Sequence, residues 1–170
     1  MKFLEKDLEK IIFEADLLTL CDRGFCPTGD VIKTFRQLRI GNYGILDILY
    51  VSKEYDVSVE TKLKPCLIFT VCELKKDRVS VSTFLQAVRY AKGIESFLKK
   101  RKFSFEFKVN ISLVGSSIDN SDFIYLSDLI PDSFLSCYTY SYDVDGIRFK
   151  HINGYSLRNE GFYIKNEKPF

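Results

Sequence analysis

The sequence predicts one α/β domain built on a central mixed β-sheet flanked by helices. Three observations carry that expectation. Leu4, Leu8, Ile11, Ile12, Ala15 and Leu18 recur at helical spacing near the start of the chain. Residues 66–72, Cys-Leu-Ile-Phe-Thr-Val-Cys, are an apolar run of strand length, the pattern of a strand covered on both faces. Val81, Phe84, Leu85, Val88, Ala91, Ile94 and Leu98 mark a second and longer helix. A helix, strands, a helix and a further strand call for layers of helix packed on a sheet.

The elements follow in order. Residues 3–20 read as one amphipathic helix, ended by the turn residues Gly24, Pro27 and Gly29. Residues 31–40 and 45–51 read as strands on either side of a turn at 41–44. The polar segment 52–64 reads as a loop or the flaring end of a hairpin, and 66–72 as the buried strand. Ser80 or Ser82 can cap a helix over 81–100. A strand over 105–115 closes a core of residues 1 to about 115. An aromatic, β-rich extension of the same domain then runs over about 120–170. It holds strands at 136–143 and 147–152 joined by an Asp145-Gly146 hairpin turn, with a short last strand at 161–164.

Composition bounds the function. The chain has 170 residues, 46% hydrophobic and 28% charged, which excludes whole-chain disorder, collagen and coiled coil. A formal net charge of +2 means that any polyanion site must come from local clustering. Charges fill the first residues where a secretion signal needs apolar ones, and no run of about 18 apolar residues occurs, so the expectation is a soluble, cytoplasmic protein without membrane contact. Five cysteines in an unpaired pattern and the lone His151 fall short of a zinc site. Cys21 and Cys26, the nearest to a ligand pattern, are expected with the others to be buried, inert thiols.

Three side chains stand where this layout could gather chemistry. Asp47 interrupts the apolar strand Ile45-Leu46-Asp47-Ile48-Leu49, an expensive place for a charge without a partner. Glu73 follows the buried run directly, and Lys75 comes two residues later, on the same face of a strand. Their place at the end of a central strand is where open α/β sheets tend to carry sites. The spacing Glu-x-Lys also occurs at Glu60/Lys62 and Glu106/Lys108. Only Glu73/Lys75 has a buried strand before it, an aspartate-bearing strand upstream and a long helix downstream.

With Gly44-x-x-Asp47, Glu73-x-Lys75 and Gln86-x-x-x-Tyr90 in that order, after a helix bearing acidic residues, the chain resembles the PD-(D/E)xK, or restriction-endonuclease-like, nuclease superfamily. The resemblance covers residues 1 to about 115; Leu46 stands where many members have proline. It implies a restriction-endonuclease-like core and a phosphodiesterase, read here as a DNA endonuclease. Asp47 and Glu73, with the Leu74 backbone carbonyl, would bind one or two Mg²⁺ (or Mn²⁺) ions through oxygen. Lys75 would orient or deprotonate the attacking water, and Gln86 would hold a water or phosphate oxygen. Tyr90, Lys76 and Arg78 are the candidate substrate contacts, and a homodimer is implied as the working assembly. The alternative is a catalytically inactive module of the same shape that binds nucleic acid or a protein.

On the first helix, Glu5 borders the stripe of Leu4, Leu8 and Ile12, whereas Glu9 reads as turned further towards solvent. Glu5 is therefore chosen as an outer or water-mediated metal ligand, with Glu9 as the alternative; either could simply solvate the helix. Plain salt bridges compete at each other position, notably Asp47 with Arg36 or Arg39. Gln86, Tyr90 and Phe97 read as a helix face opposite the main apolar stripe. Lys99-Lys100-Arg101-Lys102 reads first as favourable charge at a helix C-terminus and second as phosphate contact. Tyr138, Tyr140 and Tyr142 share one strand face, for packing or for stacking on bases.

Overall fold

A computed structural model describes residues 4–56, 64–119, 130 and 134–152. It contains helices α1 (Glu5–Glu14), α2 (Leu17–Asp22) and α3 (Val81–Lys100). The strands are β1 (Asp30–Arg39), β2 (Ile45–Asp56), β3 (Lys64–Leu74), β4 (Arg78–Val79), β5 (Glu106–Gly115), β6 (Ser117–Ile118), β7 (Leu135–Asp143) and β8 (Gly146–Ile152), with a 3₁₀ turn at Gly41–Tyr43. Six strands form one mixed sheet in the order β1-β2-β3-β5-β7-β8. β1, β2 and β3 run antiparallel in succession, β5 lies parallel to β3 after the α3 crossover, β7 is parallel to β5, and β8 returns antiparallel. The expected α/β class with a mixed sheet is thus observed.

The apolar run explains the layering. Ile68, Phe69, Thr70, Val71 and Cys72 of β3 are all buried, because successive side chains point to opposite faces and both faces are covered. On one face Val71, Leu49, Ile111 and Leu113 meet Phe84, Ala87, Ala91, Ile94 and Leu98 of α3. On the other, Cys72, Ile48, Tyr50 and Val114 meet Leu8 and Ile12 of α1, Leu20 of α2 and Phe25. β7 and β8 belong to the same sheet, with Tyr138 and Tyr140 buried beside Phe25 and Phe149 in the second cluster. These two tyrosines pack rather than offering faces to bases, and only Tyr142 of the three is exposed.

Three expectations are corrected here. The single helix over residues 3–20 is two helices, broken at Ala15 and Asp16. Asp16 caps α2, its carboxylate accepting from the Thr19 backbone N–H at 2.9 Å, so Leu18 ends on the surface instead of continuing the stripe. Cys21 and Cys26 are not inert thiols: they form a disulfide with Cα atoms 4.5 Å apart, while Cys66, Cys72 and Cys137 are buried and outside any disulfide. Gly24, at φ +92°, turns the chain back between the two cysteines and inserts Phe25 into the core. The third correction concerns α3, which is rotated from its expected setting. Leu85 is 58% exposed and Tyr90 only 3%, because the small residues Ala87 and Ala91 settle onto the sheet and carry Tyr90 inward with them.

The strands at 31–40, 45–51, 105–115, 136–143 and 147–152 are present with shifted ends. β2 continues to Asp56 and β3 begins at Lys64, so strand takes in both ends of the expected 52–64 loop, and residues 57–63 lie outside the described residues. The expected strand at 161–164 lies outside the described residues. Among the described residues no helix is long and apolar enough to cross a membrane.

Thr70 is buried, and its hydroxyl has no hydrogen-bond partner among the described residues. Removing an unsatisfied buried hydroxyl while keeping its shape returns most of a desolvation cost. Thr70→Val is therefore expected to raise unfolding free energy by about 1 kcal/mol. Urea denaturation checks this, and a destabilised Thr70→Val variant would contradict it.

Candidate active site

The amino end of β2 and the carboxyl end of β3, brought side by side by antiparallel pairing, assemble the site. β2 pairs Ile48 with Cys72, and one step further along the ladder brings Asp47 opposite Glu73. β2 twists here: Ile48 faces α1, but Leu46 joins the α3 cluster, so Asp47 sits at the point where the strand changes sides. Its carboxylate takes over a place in the ladder, Oδ2 accepting from the Leu74 backbone N–H at 2.9 Å. Gly44, two residues before Leu46, lies under the Tyr90 ring. A Cβ at Gly44 would stand 2.8 Å from Tyr90 Cε1, and the φ of +122° already favours glycine.

Among the described residues Glu73 is the most deeply buried carboxylic acid or base, 1% exposed. Lys75 Nζ donates to Glu73 Oε1 at 3.0 Å, while Glu73 Oε2 is buried without a hydrogen-bond partner among the described residues. Lys75 is itself anchored, its backbone N–H donating to the Val114 carbonyl at 2.8 Å. Beyond it the chain is pinned by the short parallel pair of β4 and β6. The Asp77 carbonyl accepts from the Ser116 N–H at 2.7 Å and from the Ser116 hydroxyl at 2.8 Å.

α1 reaches the same end of the sheet. Glu5 Oε1 lies 3.7 Å from Lys75 Nζ, and its Oε2 accepts from the Lys76 N–H at 3.2 Å. Glu9 reverses the sequence expectation: it is buried at 5% exposure, whereas the Glu5 side chain is 46% exposed. α1 lies so that Glu9 meets β1, where it pairs with Arg36 and accepts from Gln37 Nε2 at 2.7 Å. Gln37 Nε2 also lies 3.4 Å from Asp47 Oδ1 and so links the two carboxylates. Arg36 therefore serves Glu9 and not Asp47, contrary to the salt bridge weighed from sequence.

Gln37 is the residue that sequence reasoning missed. It adopts φ +49° in the middle of β1, a strained setting for a residue with a side chain, and one that often marks a site. A polar residue in an edge strand carries no such signal on its own. Of the remaining candidates, Gln86 donates to the Tyr90 hydroxyl at 3.0 Å, and with Tyr90 buried its ring has no open face for a base. The Lys76 carbonyl accepts from the Tyr140 hydroxyl, and the exposed Arg78 lies 4.0 Å from Asp119. The structure thus gathers Glu5, Asp47, Glu73 and Lys75, and leaves Gln86 with Tyr90. Among the described residues no group of three or more His, Cys, Asp and Glu side chains forms a ready metal cage.

Comparison with protein-family models, with curated proteins and with solved structures finds no match.

Burial sets the electrostatics. Desolvation raises the Glu73 pKa to about 7, with Asp47 adding to the rise and Lys75 opposing it. Asp47 is also raised, first by burial, against the Leu74 N–H and Lys75. Burial works against the charge on Lys75, but Glu73, Glu5 and Asp47 outweigh it and hold the ammonium above its ordinary pKa. At neutral pH the site therefore pairs a firmly charged lysine with a carboxylate poised between its two forms.

The sign of the pH dependence follows. Unfolded, Glu73 releases its proton near 4.5; folded, near 7. Between those values the folded chain keeps a proton that the unfolded chain has lost, so stability falls as pH rises through the window, and Asp47 acts in the same direction. Without added metal, the thermal midpoint is expected to drop from about pH 5 to about pH 7, and Glu73→Gln to flatten the slope. A level wild-type profile across that window would refute the assignment.

Proposed function

We propose that this chain is a metal-dependent nuclease with a restriction-endonuclease-like core, hydrolysing phosphodiester bonds in DNA. One observation carries the reading: Lys75 Nζ sits 3.0 Å from Glu73 at the end of the central buried strand, beside Asp47 on the adjacent strand. The architecture supports it, with α1 and α3 on opposite faces of antiparallel β1-β2-β3 and a parallel β5. That is the order of helix, three strands, helix and strand that the resemblance implies.

The residues fit a hard divalent cation. A buried carboxylate oxygen without a partner, Glu73 Oε2, is costly unless a proton or a cation meets it. Asp47, Glu73 and the Leu74 carbonyl would hold Mg²⁺ or Mn²⁺, with Glu5 as an outer ligand through water. Bound there, the ion would supply a more acidic water and shield the phosphate charge. Lys75, charged and fixed at both backbone and side chain, orients the water and stabilises charge developing on the phosphate. Glu9 and Gln37 hold Asp47 from behind. Gln86, anchored on the Tyr90 hydroxyl, is the candidate to hold a further water, and Lys76 and Arg78 would meet the substrate backbone. A homodimer would let so small a core span a duplex.

A second reading, a non-catalytic module of the same shape, has one observation in its favour: the Leu74 N–H already occupies Asp47 Oδ2. Cleavage assays on supercoiled plasmid, single strands and branched duplexes, each with Mg²⁺, Mn²⁺ or EDTA, separate the two. The nuclease should cut only with metal and lose at least about a hundredfold in rate in Glu73→Gln and Lys75→Ala. No cutting of any substrate, with no Mn²⁺ binding by calorimetry, would leave the binding module.

A further inference from the structure

At the other end of α3 from Gln86, a groove of about 590 Å³ opens between the second half of that helix, the end of β1 and the 3₁₀ turn. Leu49, Val51 and Phe69 of the sheet make its floor, and Leu38, Tyr43 and Phe97 stand along its sides. Its end wall is set by close packing: a Cβ on Gly93 would lie 2.6 Å from Ile40 Cγ2 and 2.8 Å from Tyr43 Cγ, so helix and turn are already in contact there. The size falls within the range of small-molecule sites, roughly 300–1,000 Å³, and the lining has their character of many apolar groups with a few charged ones.

The charged groups on the lining are Arg39 and Lys100, both exposed, and neither has an acidic partner among the described residues. The nearby Lys92 and Lys99, by contrast, share Glu95 at 2.9 and 2.6 Å. An apolar groove with two unspent cations on its rim is complementary to an apolar chain that ends in an anion. A second copy of this chain docked groove to groove would bring no carboxylate to these cations, since no Asp or Glu is among the groove's described lining residues. A nucleic acid would satisfy the cations but leave the apolar floor uncovered.

We propose that this groove binds a single-chain amphipathic carboxylate, its alkyl chain along Leu49, Val51 and Phe69 and its carboxylate at one of the two rim cations, Arg39 or Lys100. The site is separate from the carboxylates of β2 and β3 and does not depend on the nuclease reading.

Calorimetry of the full chain with decanoate, and with decanol as the neutral counterpart, tests it below micelle-forming concentrations. Decanoate should bind saturably with a stoichiometry of one. The double variant Arg39→Ala/Lys100→Ala should weaken decanoate by about tenfold or more and leave decanol unchanged. Ser96→Phe, which places a ring in the groove, should abolish binding of both. The two rim residues are at the surface, so their variant keeps the test valid even where Ser96→Phe disturbs folding. Absence of saturable decanoate binding overturns the proposal, as does decanoate affinity that ignores loss of both cations. A change of oligomeric state in Ser96→Phe, without decanoate binding to the parent chain, overturns it in favour of a contact between copies.

Discussion

The constraint on which this structure depends is that β3 is dry on both faces and ends in a charge. A strand covered by α3 on one side and α1 on the other has no solvent route for a polar group, yet Glu73 follows directly after Cys72 at 1% exposure. Lys75 answers one carboxylate oxygen, and burial keeps the other costly. The ends of β2, β5 and α1, and the pinned turn at Asp77, are arranged around this point. Val114 of β5 and Glu5 of α1 contact Lys75, the Leu74 N–H holds Asp47, and the Asp77 turn fixes the chain beyond them against Ser116.

A second tier supports the first. Glu9 is paired with Arg36 and Gln37, and Gln37 in turn lies against Asp47. Keeping Gln37 at a positive φ costs conformational energy, which the structure tolerates because its amide then serves two carboxylates at once. Buried acids on α1, β2 and β3 accumulate negative charge that raises the pKa of Asp47 and Glu73, after the larger effect of burial itself.

Much of the fold was legible because β3 and α3 are long, strongly patterned segments. The buried run at 66–72 and the helix at 81–100 appear where their periodicity put them, and α3 has the bounds expected of it. Short elements were not legible. α2 is a six-residue helix created by a single capping aspartate, and β4 and β6 are two-residue pairs whose partners are distant in sequence. The disulfide was missed because Cys21 and Cys26 come together only through the turn at Gly24. At the site, Asp47, Glu73 and Lys75 stood out because charges at the ends of apolar strands are conspicuous. Gln37 did not, because its role is a matter of backbone conformation.

The sequence by itself determined the α/β class, the central strand, the crossover helix and the identity of the charges that meet at the end of β3. These rest on local hydrophobic periodicity and on the cost of burying ionised groups, both of which can be read from neighbours in the chain. Tertiary structure alone decided how the helices are turned. Whether Glu5 or Glu9 is buried, whether Tyr90 faces the core or a ligand, and which acid Arg36 serves all depend on the angle at which α1 and α3 lie on the sheet. A helix stripe about 100° wide leaves its edge residues undecided, and packing against a particular partner settles them. The groove beside Arg39 and Lys100 has the same origin, since its walls bring residues 35–43 against residues 93–100, far apart in sequence.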